Sequence, residues 1–381
     1  MAIFRRNKDK TGGLDAPAPG AARDGWYDAA REQRILEVGT ELIDSMRGAE
    51  KGMLSTSFWS DKLMDWAMQD EAFKIQLFRF IDTFPTLRTP AQVHSHLVDY
   101  LSQPGVTLPS GMGIGLSAGG LLKGTMTKVV SGRITAMAER FIAGTDATSA
   151  LPQLKKMWDQ GVGFTVDLLG EACVSDDEAR IYQQRYLDLV ETLPTSVASW
   201  TPNPILESDH LGPIPRTNVS IKISSLYART DPIDQEGSLD GLVEMIGPIL
   251  QQAGEHGVFV NFDMEHYGFK DLTLTLFERC CEQFDFQAGL ALQGYLRSGE
   301  ADANRIIDWS KRTGRQVSVR LVKGAYWDEE IIHADMHGWP EPVWGRKSDT
   351  DACFERMVDL FIGATPRTKD EAGVKLALGS H

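Results

Sequence analysis

The stretch that decides the fold is Gln316-Val-Ser-Val-Arg-Leu-Val322, which runs directly into Lys323-Gly-Ala-Tyr-Trp-Asp328. Its spacing of apolar residues predicts a β-strand, and Arg320 places a charge inside that strand. Such a charge is costly unless it is paired or has a function. Lys323 and Gly324 fall where the strand should end, and barrel enzymes keep their chemistry at the carboxyl ends of their strands. The stretch therefore predicts a barrel strand that delivers two cations, a glycine and two aromatic rings to one point.

Working outward from this strand, short apolar segments alternate with helical ones from Gly163 onward. Strands that are buried on both faces and joined by helices form a parallel sheet. The predicted strands are Phe164–Leu169, Asn218–Ser224, Phe259–Met264, Ala288–Gln293, Gln316–Val322 and Val374–Leu378. The predicted helices are Asp176–Leu193, Leu239–Glu255, Lys270–Gln283, Ala301–Arg312 and Thr350–Gly363. We interpret the proline-rich segment Pro194–Arg216 as a loop over the barrel.

This alternation predicts an α/β fold of the (β/α)8-barrel type, incomplete because about six of the eight strands are present. We expect three parts: a disordered leader over 1–25, a helical arm over 26–145, and the C-terminally truncated barrel over 146–381. In the arm, Thr89-Pro90 is typical of a helix start and Phe84-Pro85 of a helix stop. The glycine-rich stretch Gly111–Gly120 follows no strand, so we interpret it as a linker and not as a nucleotide loop.

Composition limits the classes of function. The 39 basic and 53 acidic residues give a net charge of −14, which argues against nonspecific binding to nucleic acid. No run of about 18 apolar residues predicts a membrane span. The four cysteines lack the CxxC spacing, so we expect reduced thiols and a cytoplasmic protein.

Polar side chains stand at or near the end of every predicted strand. They are Asp167, Lys222, Asp263, Gln293, Arg320 with Lys323, and Ser380-His381. Metal binding by Asp263, Glu265 and His266 has only weak support from their spacing, and we expect no metal. His333 and His337 are predicted to be solvated surface residues. The cations together with Gln293, Tyr326 and Trp327 suit an anionic cofactor that bears a ring. A flavin fits this set, and a sugar phosphate remains open.

Three motifs resemble the proline dehydrogenase family. They are Arg320-Leu-Val-Lys-Gly-Ala-Tyr-Trp-Asp328, Phe164-Thr-Val-Asp-Leu-Leu-Gly-Glu-Ala172 and Asn218-Val-Ser-Ile-Lys-Ile-Ser-Ser225. The nearest resemblance is to the proline dehydrogenase part of the bifunctional proline utilization A flavoenzymes. In the helical arm, Lys51–Trp59 and Gln76–Asp82 support the same resemblance.

The resemblance implies a distorted barrel that holds FAD and oxidises L-proline to Δ1-pyrroline-5-carboxylate, with electrons passed to a membrane quinone. By the same resemblance, the expected FAD contacts are Gln293, Arg320, Lys323, Gly324, Ala325, Trp327, Lys347, Thr350 and His381. The residues expected at the substrate are Lys222, Asp167, Asp263 and Tyr326. A homo-oligomer and a peripheral contact with the inner face of the membrane are left open.

The chain also departs from the family pattern. It ends before the helix with the Tyr-Leu-x-Arg-Arg pattern, whose arginines hold the proline carboxylate and one of which would pair with Glu171. The C-terminal aldehyde dehydrogenase domain of the bifunctional enzymes is missing too. We therefore expect the N-terminal part of a longer bifunctional enzyme. Two alternatives stay open: a non-catalytic, truncated flavin-binding fragment, and a barrel aldolase or isomerase that forms a Schiff base on Lys222.

Overall fold

The computed structural model describes residues 29–47, 70–107, 142–170 and 172–379. Its helices are α1 Ala29–Arg47, α2 Glu71–Thr83, α3 Pro90–Leu101, α4 Ala147–Asp159, α5 Asp176–Val197, α6 Pro204–Glu207, α7 Gln235–His256, α8 Lys270–Gln283, α9 Gly299–Thr313, α10 Trp327–His337 and α11 Lys347–Ala364. Its strands are β1 Val166–Asp167, β2 Ser208–Asp209, β3 Gly212–Pro213, β4 Asn218–Ile221, β5 Phe259–Phe262, β6 Gln287–Gln293, β7 Gln316–Val322 and β8 Gly373–Gly379. The predicted leader, the 51–59 motif, the Gly111–Gly120 stretch, Glu171 and Ser380-His381 lie outside the described residues.

The chain divides into two compact units, Met1–Ile134 and Thr135–His381. In the first unit, α2 and α3 pack on each other through five buried side chains, Phe73, Phe80, Val93, Leu97 and Leu101. The helix predicted to begin at Thr89-Pro90 is confirmed. The Thr89 hydroxyl accepts from the Gln92 backbone, and the Gln92 side chain accepts from the Thr89 backbone. The apolar stripe of α1 is more than half exposed at Ile35, Leu42 and Ile43.

In the second unit, the sheet has the order β1-β4-β5-β6-β7-β8, and every pairing is parallel. Neighbouring strands are joined by helical crossovers, so the predicted α/β alternation and its six strands are confirmed. Three strands end earlier than predicted. β1 has two residues, β5 ends at Phe262, and β4 ends at Ile221 before a 3-10 turn at Ile223–Ser225. After these strands end, the backbone continues at the carboxyl edge of the sheet without strand pairing.

The two faces of this sheet differ in polarity, because successive side chains of a strand alternate between faces. Val219, Val260, Leu290 and Val319 are fully buried on one face within the main core, which includes the helices. The other face carries a row of paired positions, Asp167, Ser220, Asn261, Gly289, Ser318 and Lys375. Strands β4, β5 and β6 are buried on both faces, as expected. One of the two faces is polar, and it carries the candidate site.

The interpretation of Pro194–Arg216 as a loop was also wrong. Helix α5 continues through Pro194 to Val197 because Leu193 and Val197 are buried, and packing outweighs the missing proline N–H. The segment then forms α6 and the hairpin β2–β3. Asp209 of this hairpin accepts a hydrogen bond from Lys375, near the start of β8. The hairpin thus lies at the amino ends of the strands, away from the carboxyl edge.

No helix in the described ranges is long and apolar enough to cross a bilayer.

Candidate functional site

An ion network joins four strand ends at the carboxyl edge of the sheet. The ammonium of Lys222 donates to Asp167 Oδ2 at 2.5 Å and to Asp263 Oδ2 at 3.1 Å. Arg320 donates through Nη2 to Asp263 Oδ1. Asp263 thus bridges a cation that follows β4 and a cation on β7. The four predicted polar residues Asp167, Lys222, Asp263 and Arg320 form one site.

The network is partly shielded from water, because the side chains of Asp263 and Lys222 are only 12% and 22% exposed. Burial by itself would lower the pKa of the Lys222 ammonium. The hydrogen bond to Asp167 and the charge of Asp263 outweigh burial, so the pKa of Lys222 is raised. Lys222 is therefore held in its charged form, as an ion-paired group.

Two side chains that the sequence analysis missed fix the backbone of Lys222. The Ser225 hydroxyl donates to Lys222 O at 2.8 Å, and the Tyr186 hydroxyl accepts from Lys222 N at 3.4 Å. Tyr186 is fully buried on α5, and burial raises the pKa of its hydroxyl. Both contacts arise where β4 turns into a 3-10 turn, and no spacing in the sequence marks such a change of direction.

Glu265 and Gln293 form a second buried group beside the network. The Glu265 carboxylate accepts from the backbone N–H of Ser224 at 3.1 Å and also from its hydroxyl. Gln293 Nε2 donates to Glu265 O at 3.2 Å, while Gln293 Oε1 is buried with no hydrogen-bond partner among the described residues. The amide of Gln293 is thus oriented with a free acceptor.

The weakly supported metal set of Asp263, Glu265 and His266 does not assemble. Asp263 and Glu265 are engaged by the contacts described above, and the His266 ring packs against Phe269 with centroids 4.3 Å apart. Within the part of the chain that the structure describes, no cluster of three or more His, Cys, Asp or Glu side chains could hold a metal ion.

The turn after β7 presents a second cationic group. Lys323 and Lys347 donate to the two oxygens of Asp351 at 2.6 and 2.7 Å. Asp351 therefore brings together two of the predicted cofactor contacts, and these hydrogen bonds hold the pKa of its carboxyl below the ordinary value. Sequence analysis missed Asp351, although its position four residues after Lys347 on a helix was a usable signal.

Of the remaining predicted cofactor contacts, Gly324, Ala325 and Trp327 follow Lys323 directly in the chain, Thr350 lies on α11, and His381 is outside the described residues. Gly324 and Ala325 are exposed, and Thr350 is buried on α11. Trp327 is 39% exposed, and its indole N–H donates to Trp344 O at 2.8 Å. Tyr326 is half-buried, and burial raises the pKa of its hydroxyl. The turn thus offers a glycine, Lys323 and an accessible indole ring, and Asp351 holds Lys347 beside Lys323.

His333 and His337 are exposed on α10, as predicted. His337 Nδ1 lies 2.9 Å from His333 O, and its ring stacks on Trp339 with centroids 4.5 Å apart. They belong to an outer surface of the helix.

A parallel α/β sheet with ion-paired residues at its carboxyl edge is the architecture of a barrel enzyme. A model of the proline dehydrogenase family matches residues 150–381, and a model of the proline utilization A N-terminal domain matches residues 32–141. Because the first match spans more than half of the 381 residues, the chain belongs to the proline dehydrogenase family, a family of oxidoreductases. The resemblance inferred from the motifs is confirmed.

Several known proteins are similar to this chain. A solved structure of proline utilization A from Bdellovibrio bacteriovorus, inactivated by N-propargylglycine, aligns with a TM-score of 0.80 and 32% identity. That alignment covers 92% of this chain and 34% of the other. The bifunctional protein PutA of Escherichia coli is 27% identical over 231 residues, which are 58% of this chain and 17% of that protein. Proline dehydrogenase 2 of Bacillus subtilis is 28% identical over 221 residues, which are 58% of this chain and 59% of that protein. The chain thus spans about a sixth of the length of the curated bifunctional relatives it matches.

Proposed function

We propose that this chain oxidises L-proline to Δ1-pyrroline-5-carboxylate at the carboxyl edge of its sheet, with FAD as the cofactor. The observation that carries the proposal is the bridge made by Asp263 between Lys222 and Arg320. It joins two of the three motifs that resemble the family. A preset group of charges in a partly shielded site is what stabilises a reaction in which charge moves.

The residues at this edge fit a flavin. The unpartnered, buried Gln293 Oε1 can accept a hydrogen bond from an N–H group on the edge of a ring. Arg320 and Lys323 supply cations, and Gly324 lets the backbone turn between Lys323 and Ala325. We propose that these residues hold FAD together with Ala325, Trp327, Lys347, Thr350 and His381. When bound, FAD accepts the hydride that proline gives up.

The ion network suits an amino-acid substrate. Proline carries a positive amine and a negative carboxylate, and the site offers an anion and a cation side by side in Asp167 and Lys222, whose charged groups lie 2.5 Å apart. We place proline next to these two side chains and next to Tyr326. Asp263 organises the site, because it touches both Lys222 and Arg320.

The proposed reaction also implies where in the cell the protein works and which molecule accepts the electrons. The four cysteines are free and buried, as in proteins of a reducing compartment, which supports a cytoplasmic location. We propose that the electrons pass to a membrane quinone at the inner membrane face. The similarity to bifunctional relatives suggests that an aldehyde dehydrogenase domain then consumes the product, and a homo-oligomer fits the same scheme.

The test is reduction of the bound flavin. Protein loaded with FAD is mixed with L-proline without oxygen, and the flavin absorbance should bleach. We expect Arg320→Met and Lys323→Met to retain about tenfold less flavin or to reduce it about tenfold more slowly, since a hydrogen bond to a charged group contributes about 1.5–3 kcal/mol. Lys155→Met, which removes an exposed ion pair with Asp159 on α4, is the matched control. Full flavin content and normal turnover in Arg320→Met would refute the assignment.

A further inference from the structure

Asn261 lies on β5 directly beneath the ion network and is 4% exposed. Its Nδ2 donates to Ser220 Oγ on the neighbouring strand at 3.2 Å and to Asp263 Oδ1 at 3.2 Å. A buried amide is costly unless its hydrogen bonds are made. An apolar side chain here would avoid that cost, so packing alone does not account for the asparagine.

The adjoining strand leaves room for this amide. Gly289 pairs with Asn261 in the register of β5 and β6. A Cβ atom on Gly289 would fall 2.8 Å from Asn261 Oδ1 and 2.5 Å from the Phe259 ring. Any side chain at position 289 would therefore push the amide away. Asn261 is held between Ser220 on one side and the bare backbone of Gly289 on the other.

The contact with Asp263 has a definite consequence for the ion network. Oδ1 of Asp263 accepts from both Asn261 and Arg320, and Oδ2 accepts from Lys222. A carboxylate can turn about its last side-chain bond, and that torsion is broad. A third donor from below restricts the torsion. It keeps one oxygen on Arg320 while the other stays on Lys222.

We infer that Asn261 is a positioning residue that sets the rotation of the Asp263 carboxylate, so that Asp263 can hold Lys222 and Arg320 at the same time. This inference rests on the proposed function, in which the network binds proline. It assigns a role to a buried residue that touches neither the proposed substrate nor the proposed cofactor.

The first measurement that tests this inference is kinetic. Asn261→Leu removes the donor and keeps the branching at Cγ, and Ser220→Ala is the matched control because it disturbs the same amide without removing its bond to Asp263. In FAD-loaded protein we expect Asn261→Leu to lower kcat/KM for L-proline about tenfold. Ser220→Ala should stay within about twofold of the unchanged protein.

The second measurement does not depend on turnover. Lysines are reductively methylated with a 13C label, the Lys222 signal is assigned with a Lys222→Arg variant, and the pKa of Lys222 is measured by NMR. Lys222 faces Asp167 from β1, Asp263 just after β5, the nearby guanidinium of Arg320 and the nearby hydroxyl of Tyr326. We expect the pKa of Lys222 to fall in Asn261→Leu, because Asp263 turns away, and to stay unchanged in Ser220→Ala.

The two measurements separate the two hypotheses. If the unchanged protein does not reduce flavin with proline, the proposed function fails, while the pKa of Lys222 still decides the role of Asn261. An unaltered pKa of Lys222 in Asn261→Leu overturns the inference. If the leucine variant does not fold, Asn261→Ser, whose shorter side chain cannot span to Asp263, is judged by the same measurements.

Discussion

The ring of Tyr295 lies directly against the backbone of Gly324, and a Cβ atom on residue 324 would fall 2.4 Å from Tyr295 Cδ1. Tyr295 is 2% exposed, and its backbone N–H donates to Lys323 O at 2.7 Å. Gly324 has a φ angle of 129°, which side-chain-bearing residues rarely adopt. The turn that presents Lys323 and Tyr326 is therefore fixed both by its backbone conformation and by the ring packed against it.

This relationship predicts a large effect of Gly324→Ala. The new methyl group would clash with Tyr295, and the backbone would be strained, so we expect a loss of about 1–3 kcal/mol in the free energy of unfolding and weaker flavin retention. Urea unfolding and the flavin-to-protein ratio measure both effects. Gly338→Ala is the control for backbone strain alone, since Gly338 has a φ of 66° and open space around it. If Gly324→Ala loses no more stability than Gly338→Ala, the Tyr295 contact has no energetic weight.

Lys222 is predicted to act through its charge and to form no covalent imine. A Schiff base needs a neutral amine, whereas Asp167 and Asp263 raise the pKa of Lys222 and keep it protonated. Borohydride treatment in the presence of substrate, followed by mass spectrometry of the Lys222 peptide, should find no adduct. A stable adduct on Lys222 would favour the aldolase alternative.

The Asp351 bridge predicts a specific acid sensitivity. Hydrogen bonds from Lys323 and Lys347 lower the pKa of Asp351 below its ordinary value of 3.8. A lowered carboxyl pKa stabilises the fold above pH 3.8, and this stabilisation is lost as the pH falls through the lowered value. Asp351→Asn should therefore have a lower free energy of unfolding than the unchanged protein at pH 7. The difference between the two proteins should be smaller at pH 3.

Urea unfolding at pH 7 and at pH 3 measures the difference in the free energy of unfolding between Asp351→Asn and the unchanged protein. The control is Asp188→Asn, because Asp188 is exposed and accepts from the exposed Gln184 amide, so its effect on stability should be small. A difference for Asp351→Asn that stays constant with pH would contradict the role of the bridge.

Much of the barrel could be predicted from sequence because its strands are short apolar runs separated by long helices. Gln316–Val322 was predicted to the residue, and Lys270–Gln283 likewise. Both segments have a clear apolar period and lie in the regular part of the sheet. The Pro194–Arg216 segment could not be predicted, because its hairpin is stabilised by a contact with Lys375, more than 160 residues further along the chain.

The candidate site, too, could be predicted from the sequence only in part. Charged residues at strand ends are visible in the sequence, since a charge beside an apolar run needs an explanation. Which of them pair is not visible, because Asp263 reaches both Lys222 and Arg320 through strand order and register. Asn261 and Asp351 were missed for a related reason. Each is an ordinary polar residue in the sequence, and its role depends on the groups that the fold places next to it.

The final prediction concerns the opposite end of the sheet, where Lys375 pairs with Asp209 and His210 Nε2 lies 3.0 Å from Pro366 O. These contacts attach the β2–β3 hairpin to the chain around β8, near the amino ends of the strands. Lys375→Met should lower the free energy of unfolding by about 0.5–2 kcal/mol, because the side chains of Lys375 and Asp209 are only 36% and 21% exposed. Flavin reduction by proline should not change, since the proposed site is at the carboxyl edge.

Urea unfolding and anaerobic flavin reduction are measured on the same preparation. Arg180→Met is the control for stability, because Arg180 pairs with Asp177 and the two side chains are 68% and 91% exposed. Such exposed pairs contribute little to stability, so this variant should be nearly neutral. A Lys375→Met protein with unchanged stability but slow flavin reduction would show that the amino end of the sheet takes part in the reaction, and would refute the separation of roles between the two ends.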